Sequence, residues 1–418
     1  MSALAPALPG IADPRALQRS LGRAERVRKL RAFALTLPLL VFLMLTFIVP
    51  IAALLKRAIE NPEVANALPR TASALERWNR RDAPPDDAYA AVLADLGALP
   101  DSADAGALAR RLNSEVPGAR SLVMNAYKAL PLEGVATPGQ AKARLIALDE
   151  RWADMKYWQA IAKNGSRWTG DYLLASVDLK RDAQGTIERM APDQRVFGRI
   201  LGRTFEISLI VTAWCLLLGY PLAYWLSTLP ARQANILMIV VLVPFWTSIL
   251  VRVAAWIVLL QSAGLVNRAL IAIGLIEHPL ALLFNRTGVI IAMTHILLPF
   301  MILPLYSVMK GIPPSYLRAA VSLGSTPLSA FFRVYVPQTY PGIGAGALLV
   351  FILSIGYYVT PALLGGADDQ MLSYYIAQYT NVNVNWGMAS ALGALLLAAT
   401  LVLYALYRRI TKSEVSLG

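Results

Sequence analysis

Six stretches of the chain are apolar for about twenty residues at a time, the length an α-helix needs to cross a bilayer core. They fall at 32–55, 204–226, 235–260, 287–309, 342–364 and 386–407, each bounded by charges, Pro or Gly. The pattern predicts an all-α membrane protein with six spanning helices. The first stretch, AFALTLPLLVFLMLTFIVPIAALL, could be read as a secretory signal. Its apolar run is too long for that, and no A-x-A-like site follows it.

Between the first and second spans, residues 56–198 are too polar for lipid and too long for a plain loop. Pro84, Pro85, Pro100, Pro117 and Pro131 punctuate short helical patterns. The clearest is 139–163, with Leu145, Leu148, Trp152, Met155 and Ile161 near one face. Trp78, Trp152, Trp158 and Trp168 are candidates for a small core. Two readings stand side by side: a compact helical cap with no ligand of its own, or a docking surface for an external substrate-delivery protein.

Composition agrees with the membrane reading. The chain is 56% hydrophobic and 16% charged, where a soluble chain carries about a quarter charged residues. One cysteine excludes a disulfide scaffold, and two histidines argue against a His-rich metal centre. The net charge of +13 is unevenly spread: 56–198 holds 20 Lys+Arg and 19 Asp+Glu, the rest 19 and 7. The excess therefore sits beside the spans, which speaks for membrane orientation and against nucleic acid. Arg15, Arg19, Arg23, Arg26, Arg28, Lys29 and Arg31, against Asp13 and Glu25, put the tail 1–31 in the cytoplasm. Six spans return the 411–418 tail, with Arg408, Arg409 and Lys412 beside it, to the same side. The 227–234 and 310–341 connections are then cytoplasmic, and 56–198, 261–286 and 365–385 face outward.

Charged groups within spans are costly and mark functional candidates. Glu206, Arg252 and His295 lie at similar depth in the outer halves of the second, third and fourth spans. A Glu206–Arg252 ion pair lining a translocation pathway is one expectation; a structural pair locking two helices is the other. Trp246, Trp256, Tyr357 and Tyr358 could offer cation–π contacts to a solute or simply pack. Gly219-Tyr220-Pro221, Pro244, Pro299, Pro304 and Gly356 weaken the helices where a cavity or neighbours must satisfy the backbone.

The segment 310–343 reads KGIPPSYLRAAVSLGSTPLSAFFRVYVPQTYPGI. Pro313-Pro314 opens a helix with Ser315 as a candidate cap, and Gly324 is placed to end it. Thr326-Pro327 starts a second short helix over 328–335, which Pro337 and Pro341 stop. The result is a partly apolar helix–turn–helix bracket that needs a partner to cover it.

This bracket resembles the EAA loop of ABC-importer permeases, in which Glu-Ala-Ala is followed by Gly and later Pro. Ala319, Ala320, Gly324 and Pro337 match, and Arg318 stands at the usual acidic position. The stretches RTFEISLIVTAWCLLLGYPLAYWL (203–226), PFWTSILVRVAAWIVLL (244–260) and VTPALLGG (359–366) resemble the spermidine/putrescine-type branch. The likeness covers about 199–410 and the first span. It implies the type I importer-permease fold in a bacterial inner membrane, with 56–198 as a mainly helical periplasmic insertion. It also implies coupling through Arg318, Ala319, Ala320, Gly324 and Pro337 to two copies of a separate ATP-binding subunit, which would hold ATP and Mg. A second related permease and a periplasmic substrate-binding protein complete the implied assembly. The implied solute is small and nitrogenous, a polyamine first among candidates. No G-x-x-x-x-G-K-[ST] occurs, and no catalytic triad or dyad stands out. An ion-gradient transporter is the alternative, and it would call for internal symmetry and an acidic coupling residue. A membrane enzyme and an outer-block sensor are weaker still.

Overall fold

The computed structural model describes residues 14–132, 134, 136–182 and 185–415. Asp13 with the rest of 1–13, residues 416–418, and the side chains of Arg15, Arg19, Arg23, Arg26 and Lys412 lie outside the described residues. The chain divides into two units, Met1–Lys56 and Arg57–Gly418. The first is one helical run: α1 (Pro14–Leu43), a π turn (Met44–Ile48) and α2 (Val49–Arg57). Pro50 has no N–H and its ring crowds the carbonyl of Thr46; the π turn directly ahead of it absorbs the mismatch. Between Arg31 and Lys56 the run carries no charge and is apolar on every side, as a helix surrounded by lipid tails must be.

The second unit opens with the polar block. Eight helices build it: α3 (Pro62–Ala67), α4 (Pro69–Leu75), α5 (Asp86–Gly97), α6 (Ser102–Glu115), α7 (Ala119–Ala129), α8 (Pro138–Leu148), α9 (Met155–Asn164) and α10 (Asp171–Ser176). A short antiparallel hairpin, β1 (Leu179–Arg181) and β2 (Ile187–Arg189), comes next. The helix expected over 139–163 is broken, because Asp149 and Asp154 leave helical geometry and each caps the helical turn after it. Trp152 and Trp158 are fully buried and pack with Tyr89. The Trp158 Nε1–H donates to the Trp152 carbonyl at 2.8 Å. Trp78 lies at the edge of this core, and Trp168 is half exposed rather than part of it. Below it, buried Arg111 donates to Asn61 and Asn164 and pairs with Glu115 at 3.1 Å. Glu115 also holds Lys163 at 3.0 Å. Burial raises the carboxyl of Glu115, but Arg111 and Lys163 outweigh it and hold it below the usual range.

The block leaves and rejoins the chain through a paired neck. Asn61 N–H donates to Arg167 O at 2.8 Å, Thr169 N–H donates to Ile59 O at 2.9 Å, and Glu60 bridges Trp168. It is also fixed to the membrane helices. Asp178 accepts hydrogen bonds from the N–H groups of Val196, Phe197 and Gly198, at 3.0, 2.9 and 2.8 Å. It thereby caps α11 (Phe197–Thr228), whose first N–H groups have no partner within the helix. The ring of Tyr172 seats over Gly387, where any Cβ would meet it at 2.3 Å.

Three helices form the centre of the second unit: α11, α15 (Arg286–Lys310) and α19 (Tyr340–Ile355). Small residues let them close. A Cβ on Gly346 would sit 2.7 Å from the Met301 sulfur, so only glycine permits this approach. Around them lie α12 (Ala231–Leu242), α13 (Ile249–Leu260), α14 (Leu265–Ala272), α16 (Ser315–Ser322), α17 (Pro327–Ala330), α18 (Val336–Gln338), α20 (Val359–Leu364), α21 (Leu372–Asn381) and α22 (Trp386–Val415).

The expected spans are modified in two places. The stretch 235–260 is not one helix. A 3-10 turn at Val243–Trp246 and extended Thr247 and Ser248 separate α12 from α13. Pro244 lacks the N–H that would continue the ladder, and Thr247 Oγ1 turns back to the Pro244 carbonyl at 2.7 Å. The apolar stretch long enough to span is then Ile249–Ala272, made of α13, the turn 261–264 and α14, with Ala231–Trp246 a shorter apolar helix. The stretch 342–364 stops at Ile355, where Ser373 Oγ donates to the freed Ile355 carbonyl at 2.6 Å. Among the described residues five helices are long and apolar enough to cross a bilayer. A sixth is reached by joining Pro327–Gln338 to Tyr340–Ile355 across a 60° bend.

Candidate functional site: a bracket and an intramembrane polar cluster

The bracket begins where α15 ends. Lys310 Nζ donates to the carbonyls of Ser227 and Leu229, at 3.2 and 3.0 Å, so a cation covers the negative end of α11. Helix α16 then runs with no buried residue. Its cap differs from expectation: Pro314 occupies the N-cap position, and Ser315 is already helical with no capping bond. The far end matches it closely. Gly324 adopts φ +94, and the Ser325 N–H donates to the Ala320 carbonyl at 3.1 Å. This left-handed closure suits glycine. Thr326 Oγ1 caps the next helix by accepting from the Ser329 N–H at 3.3 Å.

The second bracket helix is longer than expected. It continues through a π turn (Phe331–Tyr335) and α18 to Gln338. Pro337 does not stop it: as at Pro50, a π turn lies ahead of the proline and absorbs its missing N–H and its ring. The bend comes at Thr339. Tyr220 shares a hydrogen bond of 3.1 Å with Thr339. Tyr224 packs edge-on against Phe331 and Tyr335, each with centroids 5.2 Å apart. One face of the bracket is therefore rooted on α11. The other carries Leu323, Leu328 and Phe332, which are 89%, 70% and 61% exposed. Arg318 and Ala319 are exposed and Ala320 is half-buried.

The intramembrane polar residues group differently from expectation. Glu206 does not pair with Arg252. It accepts from Arg286 at 2.8 Å, and Arg286 Nε reaches Asp369 at 3.3 Å. Arg203 donates to the Asp368 carbonyl beside them. Arg286 and Asp369 thus complete a triad joining α11, α15 and the turn before α21. Neither stood out in the sequence pattern, because both border the apolar runs rather than interrupt them. Reach favours Arg286: it opens the helix packed against α11, whereas Arg252 starts a helix beyond a break.

Arg252 lies in the first turn of α13, directly after the extended Thr247 and Ser248. The Trp256 Nε1–H donates to His295 Nδ1 at 3.2 Å, the two rings meeting edge-on. His295 also borders a pocket of about 160 Å³, lined by Leu222, Pro244, Leu298 and Ile302 among others. Arg252 makes no ion pair and no side-chain hydrogen bond among the described residues, and its Nε is shielded from solvent. Trp246 is 74% exposed at the end of the 3-10 turn.

Residues 216–414 match the family described as the binding-protein-dependent transport system inner membrane component. The spermidine/putrescine transport system permease protein PotB of Escherichia coli K12 is 36% identical over 197 residues, 47% of this chain and 71% of PotB. The chain belongs to this family. The inner membrane ABC transporter permease protein YdcU of the same strain is 29% identical over 232 residues, 51% of the permease and 70% of YdcU. The putative 2-aminoethylphosphonate transport system permease protein PhnU of Salmonella paratyphi A is 26% identical over 224 residues, 53% and 77% of the two chains.

The permease is therefore a multi-pass inner-membrane subunit of an ABC importer with the all-α permease fold of that family. It is not an enzyme, since ATP is hydrolysed by a separate subunit in such importers. Membership implies an ATPase, a substrate-binding protein and a second permease as partners. The gradient-driven and enzymatic alternatives fall with it.

Proposed function

We propose that the permease forms half of the translocation pathway for a small nitrogen-bearing solute and drives it through the bracket 310–341. The relatives' names, PotB's above all, make polyamines the first solutes to try. In this reading Arg318, Ala319, Ala320 and Gly324 face a groove on one of two ATPase subunits, which bind ATP and Mg. Pro337 carries the movement to the bend before α19. Both termini and the bracket lie in the cytoplasm, and the 56–198 block stands on the outer face where a binding protein docks. A second, related permease closes the pathway. Glu206, Arg252, His295, Trp246 and Tyr357 remain the candidates for lining it.

One observation carries the proposal: the bracket is exposed and apolar on one face and rooted by Tyr220, Tyr224 and Lys310 on the other. A partner that pushes the free face moves α11 and α15 with it. The test is purification of the permease with and without its co-expressed ATPase and binding protein. ATP-driven solute uptake into vesicles should require all of them. Uptake that persists without the ATPase would refute the reading.

A further inference from the structure

We infer that the groove receiving the bracket on the ATPase is bordered by carboxylates, one of them opposite Arg318. The inference rests on the coupling reading above and states what kind of surface the partner presents. The free face of the bracket is apolar through Leu323, Leu328 and Phe332. Its charges are all of one sign. Residues 310–341 hold Lys310, Arg318 and Arg333 and no Asp or Glu. Lys310 is engaged by the Ser227 and Leu229 carbonyls. Arg318 and Arg333 are exposed, and among the described residues neither makes an ion pair or a side-chain hydrogen bond.

The stretch around these cations offers no acid. No Asp or Glu occurs over 278–367, and the 227–234 connection, which Lys310 ties to the start of the bracket, adds only Arg232. Helix α16 gains nothing from its arginine either. Arg318 stands in the first turn of α16, where the helix presents its positive end and a carboxylate would be the stabilising choice. A partner that covers the apolar face draws this cation partly out of water, and a charge so placed needs an opposite charge to meet it. A basic groove would add like-charge repulsion to the lost hydration. The acid that is usual at this position of the EAA loop would call for the opposite groove. The sign of the groove thus sets which ATPase this permease accepts.

The test titrates the purified ATPase onto the full-length permease, held with its partner permease in nanodiscs of uncharged lipid. Arg318→Glu should weaken binding about tenfold or more and Arg318→Gln less, while Arg318→Lys stays within about threefold. Wild-type binding should weaken as salt rises, and Arg318→Glu should lose most of that dependence. When the groove's acids are changed to Lys one at a time, one altered ATPase should bind Arg318→Glu about tenfold better than the unaltered ATPase does. Binding that Arg318→Glu leaves unchanged or strengthens would overturn the inference, as would the absence of any such rescue. A loss seen only in anionic lipid would overturn it too, and would assign the arginine to lipid headgroups. Failure of the coupling reading looks different. Leu323→Ser and Leu328→Ser alter only exposed apolar side chains, and ATPase binding that survives both together would show that the bracket is not the docking element.

Discussion

Gly324 allows the coupling role of the bracket to be tested without touching the membrane helices. At φ +94 it occupies backbone that L side chains rarely adopt, yet a Cβ placed there would meet nothing within 4 Å. The penalty of a substitution is therefore conformational, not steric. A left-handed residue with a side chain costs about 1–2 kcal/mol, and a β-branched one more. Helix α16 has no buried residue with which to resist that penalty, so the bracket itself yields. At about 1.4 kcal/mol per factor of ten, Gly324→Ala should lower the fraction of docking-competent brackets roughly five- to thirtyfold. Gly324→Val should do worse, and Gly324→Asn should lie nearest wild type because Asn tolerates this region. The assay is ATP hydrolysis stimulated by the binding protein in the reconstituted importer, with permease yield measured in parallel. Yield should stay constant while stimulation falls in the order Gly, Asn, Ala, Val. If Gly324→Ala and Gly324→Val both stimulate like wild type, the closure has no part in coupling.

Asp178→Ala removes an acceptor shared by three N–H groups at the start of α11. Lost capping of about 1–2 kcal/mol and a lost charge at the helix's positive end of about 0.3–1 kcal/mol should lower the apparent Tm of the detergent-held permease by several degrees. Asp178→Asn should give roughly half that loss, and a shift within error for both would show that the cap does not hold the helix. Glu115 has a carboxyl held low in the folded state. The stability it contributes is complete above the unfolded-state value near 4.3 and disappears as pH falls through the lower folded value. Thermal unfolding followed by tryptophan fluorescence should show a smaller loss between pH 7 and pH 3.5 in Glu115→Gln than in wild type.

Much of this was legible from the residue pattern, and the gaps have physical causes. Apolar length announces a spanning helix whatever its neighbours do, so α11, α15 and α22 stand close to where the pattern put them. Length alone does not register an interior break. Pro244 and Gly356 were visible as weak points, but not that the chain would leave helical geometry beside them. Gly324 was readable because its requirement is local. Ser315 was misjudged by one residue, because Pro314 itself takes the N-cap position, and Pro337 by about one helical turn, because the π turn ahead of it lets the helix continue. The Glu206 partner was the hardest to foresee. A pairing between helices depends on which of them touch, and depth in the bilayer does not supply that. Asp178 was hidden for a related reason: its three partners lie eighteen to twenty residues downstream, across a hairpin.

The paired neck of the polar block has a consequence for how such a chain could arise. Because residues 59–61 and 167–169 are hydrogen-bonded to each other, everything between them is a closed detour. A segment whose ends already touch can be gained or deleted in a single genetic event without shifting the helices on either side. The same position is a natural port at which another folded domain could be exchanged for the native one.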